Sequence, residues 1–345
     1  MKTILVTGAA GYVGSICVET LLDAGFQVIA LDNLQGGKRE AILPAARFAE
    51  VDLCNEAAVH SVFQAERVEA VMHFAALADV STSVVYPHLF FKNNVTGTLN
   101  LLEAMLAHGV KKLIFSSTAA VYGEPQYVPI DENHPQRPVN SYGESKLAIE
   151  RMLSWYVSAY QFRCVSMRYF NAAGASARLG EDRFRESHLI PCLLDVTQGK
   201  KPEIAIYGSG YATKDGTCLR DYVHVRDIIT AHLLCLEHIE ELHADVFNVG
   251  HGIGYTVQEV LQEARNITGH PIPARMVAPR PGDPAVLLAT PEKLRHRLGW
   301  RPQRSDLRTI IQDAWKWRLA HPRGYEPVTL PQSQPAATQL QHTEI

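Results

Sequence analysis

Thr7-Gly8-Ala9-Ala10-Gly11-Tyr12-Val13-Gly14 is the stretch that decides the fold. It follows the β-branched run Thr3–Val6 and opens a helical apolar pattern over Tyr12–Ala24, so it joins a strand to a helix. Glycines 8, 11 and 14 recur at i, i+3 and i+6, a variant of the dinucleotide fingerprint with one extra residue in its first interval. A turn of this kind lets backbone N–H groups approach a pyrophosphate closely, and the helix N-terminus adds its partial positive charge. The next strand ends in Asp32, 18 residues after Gly14. A carboxylate there accepts from the adenosine ribose hydroxyls and repels a 2′-phosphate, which favours NAD, while Lys38 and Arg39 nearby leave NADP open. After the third strand, Asp52-Leu53 has two readings, flanking an adenine ring or capping the helix that starts at Glu56.

Outward from that turn, short β-branched runs alternate with longer helical ones up to about residue 170. Strands are expected at Ile4–Thr7, Gln27–Leu31, Phe48–Val51, Ala70–Phe74, Leu113–Ser116 and Val165–Arg168. Helices are expected at Tyr12–Ala24, Glu56–Gln64, Phe90–Ala107 and Ser141–Tyr160. The fold class is α/β, a doubly wound parallel sheet of Rossmann type, with a smaller C-terminal α+β lobe. Residues 1–170 form the NAD-binding domain that also carries the chemistry, and 171–326 mainly the substrate lobe. Within that lobe Ile204–Tyr207 and Val246–Val249 read as isolated strands, and Thr256-Val-Gln-Glu259 as a capping box opening a helix to about Thr268. Residues 327–345, rich in Gln, Pro and Thr without period, read as a disordered tail.

Composition narrows the function classes. The 345 residues are 46% hydrophobic, and 33 Lys+Arg against 36 Asp+Glu give a formal charge of −3. No basic field for nucleic acid or an anionic membrane is present, and no apolar stretch approaches the ~18 residues of a membrane span. Nothing in this pattern exports or anchors the chain. Six cysteines with no CxxC spacing fit a reducing cytoplasm, and the fifteen histidines include no pair three or four apart, so no metal is expected.

The chemistry is carried by Ser141-Tyr-Gly-Glu-Ser-Lys146 at a helix start. Tyr142 and Lys146, at i and i+4, share one helix face. A free phenol titrates near ~10, but an ammonium and a nicotinamide cation in a dry cleft would lower it into the range of an acid/base catalyst. Ser116-Ser117-Thr118 ends the fifth strand, on the carboxyl edge where open α/β sheets bind ligands. A hydroxyl there can hydrogen-bond a substrate oxygen and pass its proton to the tyrosine.

The glycine turn, the Ser/Thr-rich strand end and the YxxxK pair together resemble the extended short-chain dehydrogenase/reductase superfamily. Further segments are similar to its UDP-galactose 4-epimerase family: His73-Phe-Ala-Ala76, Asn93-Asn-Val95, Arg168-Tyr-Phe-Asn171, Asp215–Val225, Asn248-Val-Gly250 and Arg280-Pro-Gly-Asp283, in family order. The resemblance spans residue 1 to about 325. It implies NAD contacts from Tyr12, Val13, Asp32, Asn33, Asp52, Leu53, Phe74, Ala75 and Asn93, with Phe170 near the nicotinamide. It implies catalytic roles for Thr118, Tyr142 and Lys146. Asn171, Leu189, Tyr207, Arg220, Arg280 and Asp283 match positions that hold the uridine diphosphate half of a UDP-sugar. Two arginines make a sensible diphosphate clamp; the other reading pairs them with Asp221 and Asp283 at the surface.

Within the superfamily, dehydratases carry an acidic pair just after the catalytic Ser/Thr; here Ala119 and Ala120 stand there. Without a carboxylate for elimination, the expected reaction is reversible C4 epimerisation of a UDP-hexose through a 4-keto sugar, with NAD retained. The other readings are epimerisation of UDP-N-acetylhexosamine or UDP-arabinose/xylose, an NAD-dependent sugar-nucleotide oxidoreductase, and a non-catalytic NAD-binding regulator. Two departures from the family pattern bear on this. Where many members have a lysine facing the cofactor, this chain has Ala78 followed by Asp79, and Leu287 takes a position that governs room beside the sugar. Family members commonly pair through two long helices, so Phe90–Ala107 and Ser141–Tyr160 imply a homodimer.

Overall fold

The glycine-rich turn joins strand β1 (Thr3–Thr7) to helix α1 (Tyr12–Asp23) in a computed structural model that describes residues 2–184, 186–280 and 283–325. The tail at 327–345, Glu326, and Pro281-Gly282 of the RPGD segment lie outside the described residues. The chain continues through β2 (Gln27–Asp32), β3 (Arg47–Glu50), α2 (Glu56–Ala65), β4 (Ala70–His73), α3 (Val80–Val85), α4 (Pro87–Phe90), α5 (Gly97–Ala107), β5 (Lys112–Thr118), α6 (Ser141–Tyr160) and β6 (Arg163–Tyr169). Then come β7 (Asn171–Ala173), α7 (Leu189–Thr197), β8 (Ile204–Tyr207), β9 (Leu219–His224), α8 (Val225–Glu237), α9 (Ile239–Leu242) and β10 (Ala244–Val249). Last are β11 (Gly254–Thr256), α10 (Val257–Thr268), β12 (Ala274–Val277), β13 (Val286–Leu287), α11 (Glu292–Leu298) and α12 (Leu307–Ala320).

The main sheet has the order β10-β6-β5-β4-β1-β2-β3, every pairing parallel. Alternation along the strands feeds both faces. In β1, Ile4 and Val6 pack with α1, α8 and α9, whereas Leu5 packs on the opposite side with α2, α5 and α6. Such double burial is what makes these strands read as continuous apolar runs. Strand order reverses between β1 and β4, so the carboxyl ends of β1, β2, β4, β5 and β6 surround one crevice.

Two expectations need correction. Among the described residues the sheet has seven strands, because the run Val246–Val249, expected as an isolated strand of the second lobe, belongs to β10, which pairs with β6 from Ala244↔Cys164 to Val249↔Tyr169. Sequence period gives a strand's existence but not its partner, and helices α8 and α9 return the chain to the sheet edge. The expected single helix Phe90–Ala107 is instead α4, a π-helical turn over Phe91–Thr96, and α5. The wide turn swings the buried Asn94 side chain inward, where Nδ2 donates to Leu77 O (3.0 Å) and Ser145 Oγ (3.0 Å) while Oδ1 accepts from Leu77 N (2.8 Å). π-turns of this kind concentrate at functional sites.

The smaller lobe holds a sheet of β11-β9-β13 with β7 on β9, a β12–β8 pair, and α7, α10 and α12 over their own apolar core. Helix α10 starts at the expected capping box, Thr256 with Glu259. Because β7 follows β6 after one residue and pairs with β9, the two lobes meet along Tyr169–Ala173, beside the carboxyl edge of the main sheet.

Candidate active site

At the glycine turn the backbone requires what the residues supply. Gly8 has φ +68°, and a β-carbon there would sit 2.5 Å from Ala75 N at the end of β4. One at Gly14 would collide with Gly8 O, so a side chain at either place would fill the cradle. Gly11 caps α1 without any side-chain hydrogen bond, and the first turn has no acidic residue. Its N–H groups are left for an outside acceptor, and the positive pole is not neutralised from within the helix. These features fit a dinucleotide pyrophosphate. Asp32, buried at the end of β2, accepts from Ala10 N (3.0 Å) and Leu34 N (2.8 Å), so it braces the turn. Burial pushes its pKa up, against the pull of those N–H donors.

Asn33 Nδ2 donates to Asp52 Oδ2 (3.2 Å), placing the Asp52-Leu53 pair beside the end of β2. The capping alternative for Asp52 fails, because Asn55 caps α2 by accepting from Ala58 N. Lys38 and Arg39, which had left NADP open, lie over the rings of Phe184 and Phe48 at 4.1 and 4.4 Å. Asn93 donates to Asn94 Oδ1 (3.0 Å), and Phe74 stacks on His232.

At the end of β5 and the start of α6 the structure brings Thr118, Tyr142 and Lys146 together. Gly143 makes this possible: a β-carbon there would sit 2.5 Å from Ala120 O, so only glycine lets α6 pack this close to the end of β5. Asn140 caps α6, accepting from Gly143 N (2.8 Å). Thr118 Oγ1 accepts from Ala120 N (3.1 Å) and also meets the half-buried Tyr142 phenol. Lys146, 2% exposed, donates from Nζ to Ser116 O (2.7 Å) and lies 4.8 Å from the Phe115 ring centroid.

In the chain without a bound cation, burial dominates the electrostatics. Burial raises the Tyr142 pKa above its ordinary value, against opposing pulls from Thr118 and Arg183. Burial likewise lowers Lys146 to about 7, with Glu150 pulling it back up. In the chain alone the dry cleft disfavours both charges, and the pull of Arg183 on the phenol does not outweigh its burial.

The second lobe presents its residues opposite. Asn171 donates to Asp221 O (3.0 Å), so β7 and β9 hold it next to Arg220. Arg220 pairs with Asp283 and donates to Leu219 O (2.8 Å). Asp221 does not pair with it: fully buried, it accepts from His251 N (2.7 Å), Gly252 N (2.9 Å) and Ala289 N (3.2 Å). Arg280 stacks over Tyr207 at 3.8 Å, with no carboxylate at ion-pair distance among the described residues. Leu189 opens α7, whose first-turn N–H groups have no side-chain cap. Phe170 and Leu287 pack on the buried Ala119, Val121, Tyr122 and Leu147, just past the end of β5.

Several residues were quoted in sequence motifs without a role. His73 accepts at Nδ1 from Thr7 Oγ1 (2.6 Å) and donates from Nε2 to Thr98 Oγ1 (2.8 Å), a polarity fixed because Thr98 donates onward to Asn94 O (2.6 Å). Burial, with Lys146 adding to it, lowers this imidazole to about 3, so it is neutral. Arg168 donates to Glu150 Oε1 (3.0 Å), Glu150 Oε2 (2.5 Å) and Tyr122 Oη (2.9 Å), while Tyr122 donates to Asn248 Oδ1 (2.6 Å). With Ser117 also on Glu150, this buried network ties β5, β6, α6 and β10 together beneath the catalytic edge. Only spatial pairing reveals it, since its members are scattered from 117 to 248.

Comparison with known proteins agrees with this geometry. The model of the NAD dependent epimerase/dehydratase family matches residues 4–250. The UDP-glucose 4-epimerase of Halalkalibacterium halodurans is 48% identical over 325 residues, 93% of this chain and 97% of that protein. Two crystal structures of UDP-glucose 4-epimerases superpose closely. The enzyme from Brucella ovis in complex with NAD is 40% identical with a TM-score of 0.88, covering 91% of this chain and 98% of its own. The enzyme from Bifidobacterium longum in complex with NAD+ and UDP is 36% identical with a TM-score of 0.89, covering 94% and 100%. A family match over residues 4–250 and likeness over nearly the whole length make this chain a member of the NAD dependent epimerase/dehydratase family, among its UDP-glucose 4-epimerases.

Proposed function

We propose that the protein interconverts UDP-galactose and UDP-glucose by reversible oxidation at C4, with NAD as resident cofactor and with Thr118, Tyr142 and Lys146 as its catalytic residues. The observation that carries this reading is the meeting of Thr118, Tyr142 and Lys146 at one strand end beside the glycine cradle, with alanine at 119 and 120. Bound in that cradle, NAD supplies a reversible hydride acceptor for the C4 carbon. Tyr142 takes the C4 hydroxyl proton and later returns it, Thr118 orients the oxygen and relays the proton, and Lys146 holds the phenolate charge. Asp32, Asn33, Asp52, Leu53, Phe74, Ala75 and Asn93 orient the cofactor alongside Tyr12 and Val13, and Phe170 closes the nicotinamide side.

On the opposite lobe Asn171, Leu189, Tyr207, Arg220, Arg280 and Asp283 grip the uridine diphosphate. The remote grip supplies binding energy without fixing which face of the hexose is presented, so the planar 4-keto sugar can turn over between the two half-reactions. With no carboxylate at 119 or 120, elimination of water has no acid–base pair to drive it. The protein works as a homodimer in the cytoplasm; its six free thiols suit a reducing compartment, and no helix among the described residues is long and apolar enough to cross a membrane.

The test is incubation with UDP-galactose, UDP-N-acetylgalactosamine and UDP-arabinose in parallel, in D2O and without added cofactor, followed by chromatography and NMR. UDP-glucose forming with no deuterium at C4 is expected. Deuterium at C4, or a requirement for added NADP, overturns the mechanism.

A further inference from the structure

One cation near the cleft has no role so far: Arg183. The segment Gly174–Phe184 runs along α1. Near the helix start, Tyr12 donates to Gly174 O (2.6 Å); farther along, Arg178 meets Glu19 (2.5 Å) and Asp23 (2.8 Å). The segment then turns back, because the Phe184 ring lies 4.1 Å from Lys38 Nζ, and Lys38 N donates to Ala10 O (3.1 Å) in the glycine turn. Arg183 is thereby returned to the pyrophosphate end of α1.

Its side chain is anchored at one point. Nε donates to Glu181 Oε1 (2.6 Å), and Glu181 is buried. His188 Nδ1 lies 3.1 Å from the same carboxylate and 3.2 Å from Glu186 Oε1; the two carboxylates raise His188 to about 9, and His188 together with Arg183 lowers Glu181 to about 2, so the two cations face two carboxylates. The terminal NH1 and NH2 groups of Arg183 have no partner among the described residues. Its charge is nevertheless felt at Tyr12, Asp79 and Tyr142, whose pKa values it pulls down from three different elements around the cleft. Ala78, one residue from Asp79, contributes no charge there.

We propose that Arg183 is a cofactor-binding residue, anchored by Glu181 through Nε so that its NH1/NH2 edge grips the diphosphate of NAD. This rests on the cofactor reading above. A guanidinium fixed at one corner is preorganised for a two-point phosphate contact. The substrate carries a diphosphate too, so the experiment separates the two sources.

Wild-type protein with its resident NAD is compared with Arg183→Gln and Arg183→Lys. Nucleotide remaining with the protein is measured after timed gel filtration at low and high salt, UDP affinity by titration calorimetry, and folding by thermal melting. Arg183→Gln is expected to lose NAD roughly 10- to 100-fold faster, the worth of one charge-assisted contact. Its release is also expected to depend less on salt than the parent's. Arg183→Lys falls between, with UDP affinity held within about twofold in all three. Parental NAD retention in Arg183→Gln at both salt concentrations overturns the proposal. So does weakened UDP binding with unchanged NAD retention, which would hand Arg183 to the substrate diphosphate. Equal NAD loss in both variants without change in salt dependence also overturns it, since it would mark a merely structural role. A parent chain that neither carries nor takes up NAD would sink the cofactor reading together with this one.

Discussion

Replacing Tyr142 with phenylalanine removes one oxygen from the strand-end triad and little else. The ring is retained and keeps its edge-on contact with Phe90, at 6.4 Å between centroids. The polar partner lost is the Thr118 hydroxyl, a contact worth about 0.5–1.5 kcal/mol. Against a domain stability of ~5–15 kcal/mol, the variant stays folded. UDP affinity is also expected to persist, because Arg220, Arg280 and Asn171 sit on elements of the other lobe. Turnover is another matter. A positioned acid/base contributes about 100- to 10,000-fold, equivalent to about 2.7–5.4 kcal/mol of barrier. The assay is conversion of saturating UDP-galactose by nucleotide chromatography, with melting temperature and UDP calorimetry as controls. If Thr118 relays the proton, Thr118→Val loses activity as well, and the double variant is hardly worse than Tyr142→Phe alone, because the two hydroxyls act as a unit. A folded Tyr142→Phe chain with kcat within about tenfold of the parent would refute the assignment.

Three further outcomes are expected. Asp221→Asn sets an amide NH2 against backbone N–H donors that now share the carboxylate, costing about 2–4 kcal/mol in denaturant unfolding and raising the KM for UDP-sugar through Arg220 next door; an unchanged midpoint would count against it. Lys146 is lowered to about 7 in the fold and is near ~10.4 when unfolded, so between those pH values the unfolded chain binds the extra proton and the lysine's contribution to stability rises with pH. Lys146→Met is therefore more stable than the parent at pH 6, with an advantage shrinking by about 1.4 kcal/mol per pH unit above 7; a constant difference in unfolding free energy from pH 6 to 8.5 would show the amine is not so shifted. Finally, Trp155 on α6 is 73% exposed and Leu99 on α5 39%, with Val84 and Val85 also bare; Trp155→Glu is expected to shift sedimentation from dimer to monomer, and a wild-type chain sedimenting as a monomer would remove the dimer reading.

Much of the site was legible because its chemistry is local. The cradle is one β-to-α turn, and Gly8 and Gly14 are demanded by backbone collisions within the turn and with the neighbouring strand end. Tyr142 and Lys146 lie one helical turn apart, so spacing alone aligned them. What the sequence withheld depends on pairing between distant segments. Strand β10 could be recognised as a strand but not as the seventh member of the main sheet, since its partners in β6, Cys164–Tyr169, lie about 80 residues earlier. Arg168, Glu150, Tyr122 and Asn248 were visible as residues, not as one buried network. Arg183 carried no motif, and its placement follows from contacts of Arg178 and Phe184 on either side of it.

Electrostatics were the hardest to read because burial reversed an argument that was sound for charges in isolation. An ammonium one turn from a phenol ought to lower the phenol's pKa. Yet packing α6 against β5 at Gly143 dries both groups, so Tyr142 is pushed up while Lys146 is pulled down to about 7. The neutral His73 beside them adds no positive charge either. At neutral pH the chain by itself therefore holds a protonated phenol next to a half-neutral amine, which has no strong base to offer a sugar hydroxyl. A cation held in the nicotinamide pocket would supply that competence, since a phenolate is worth more against it in a dry cleft than in water. On the proposed assignment, the same closeness of packing that silences the pair in the bare chain would make it responsive to a charge brought by the cofactor, and would confine proton abstraction to molecules in which the means of receiving the hydride is already in place.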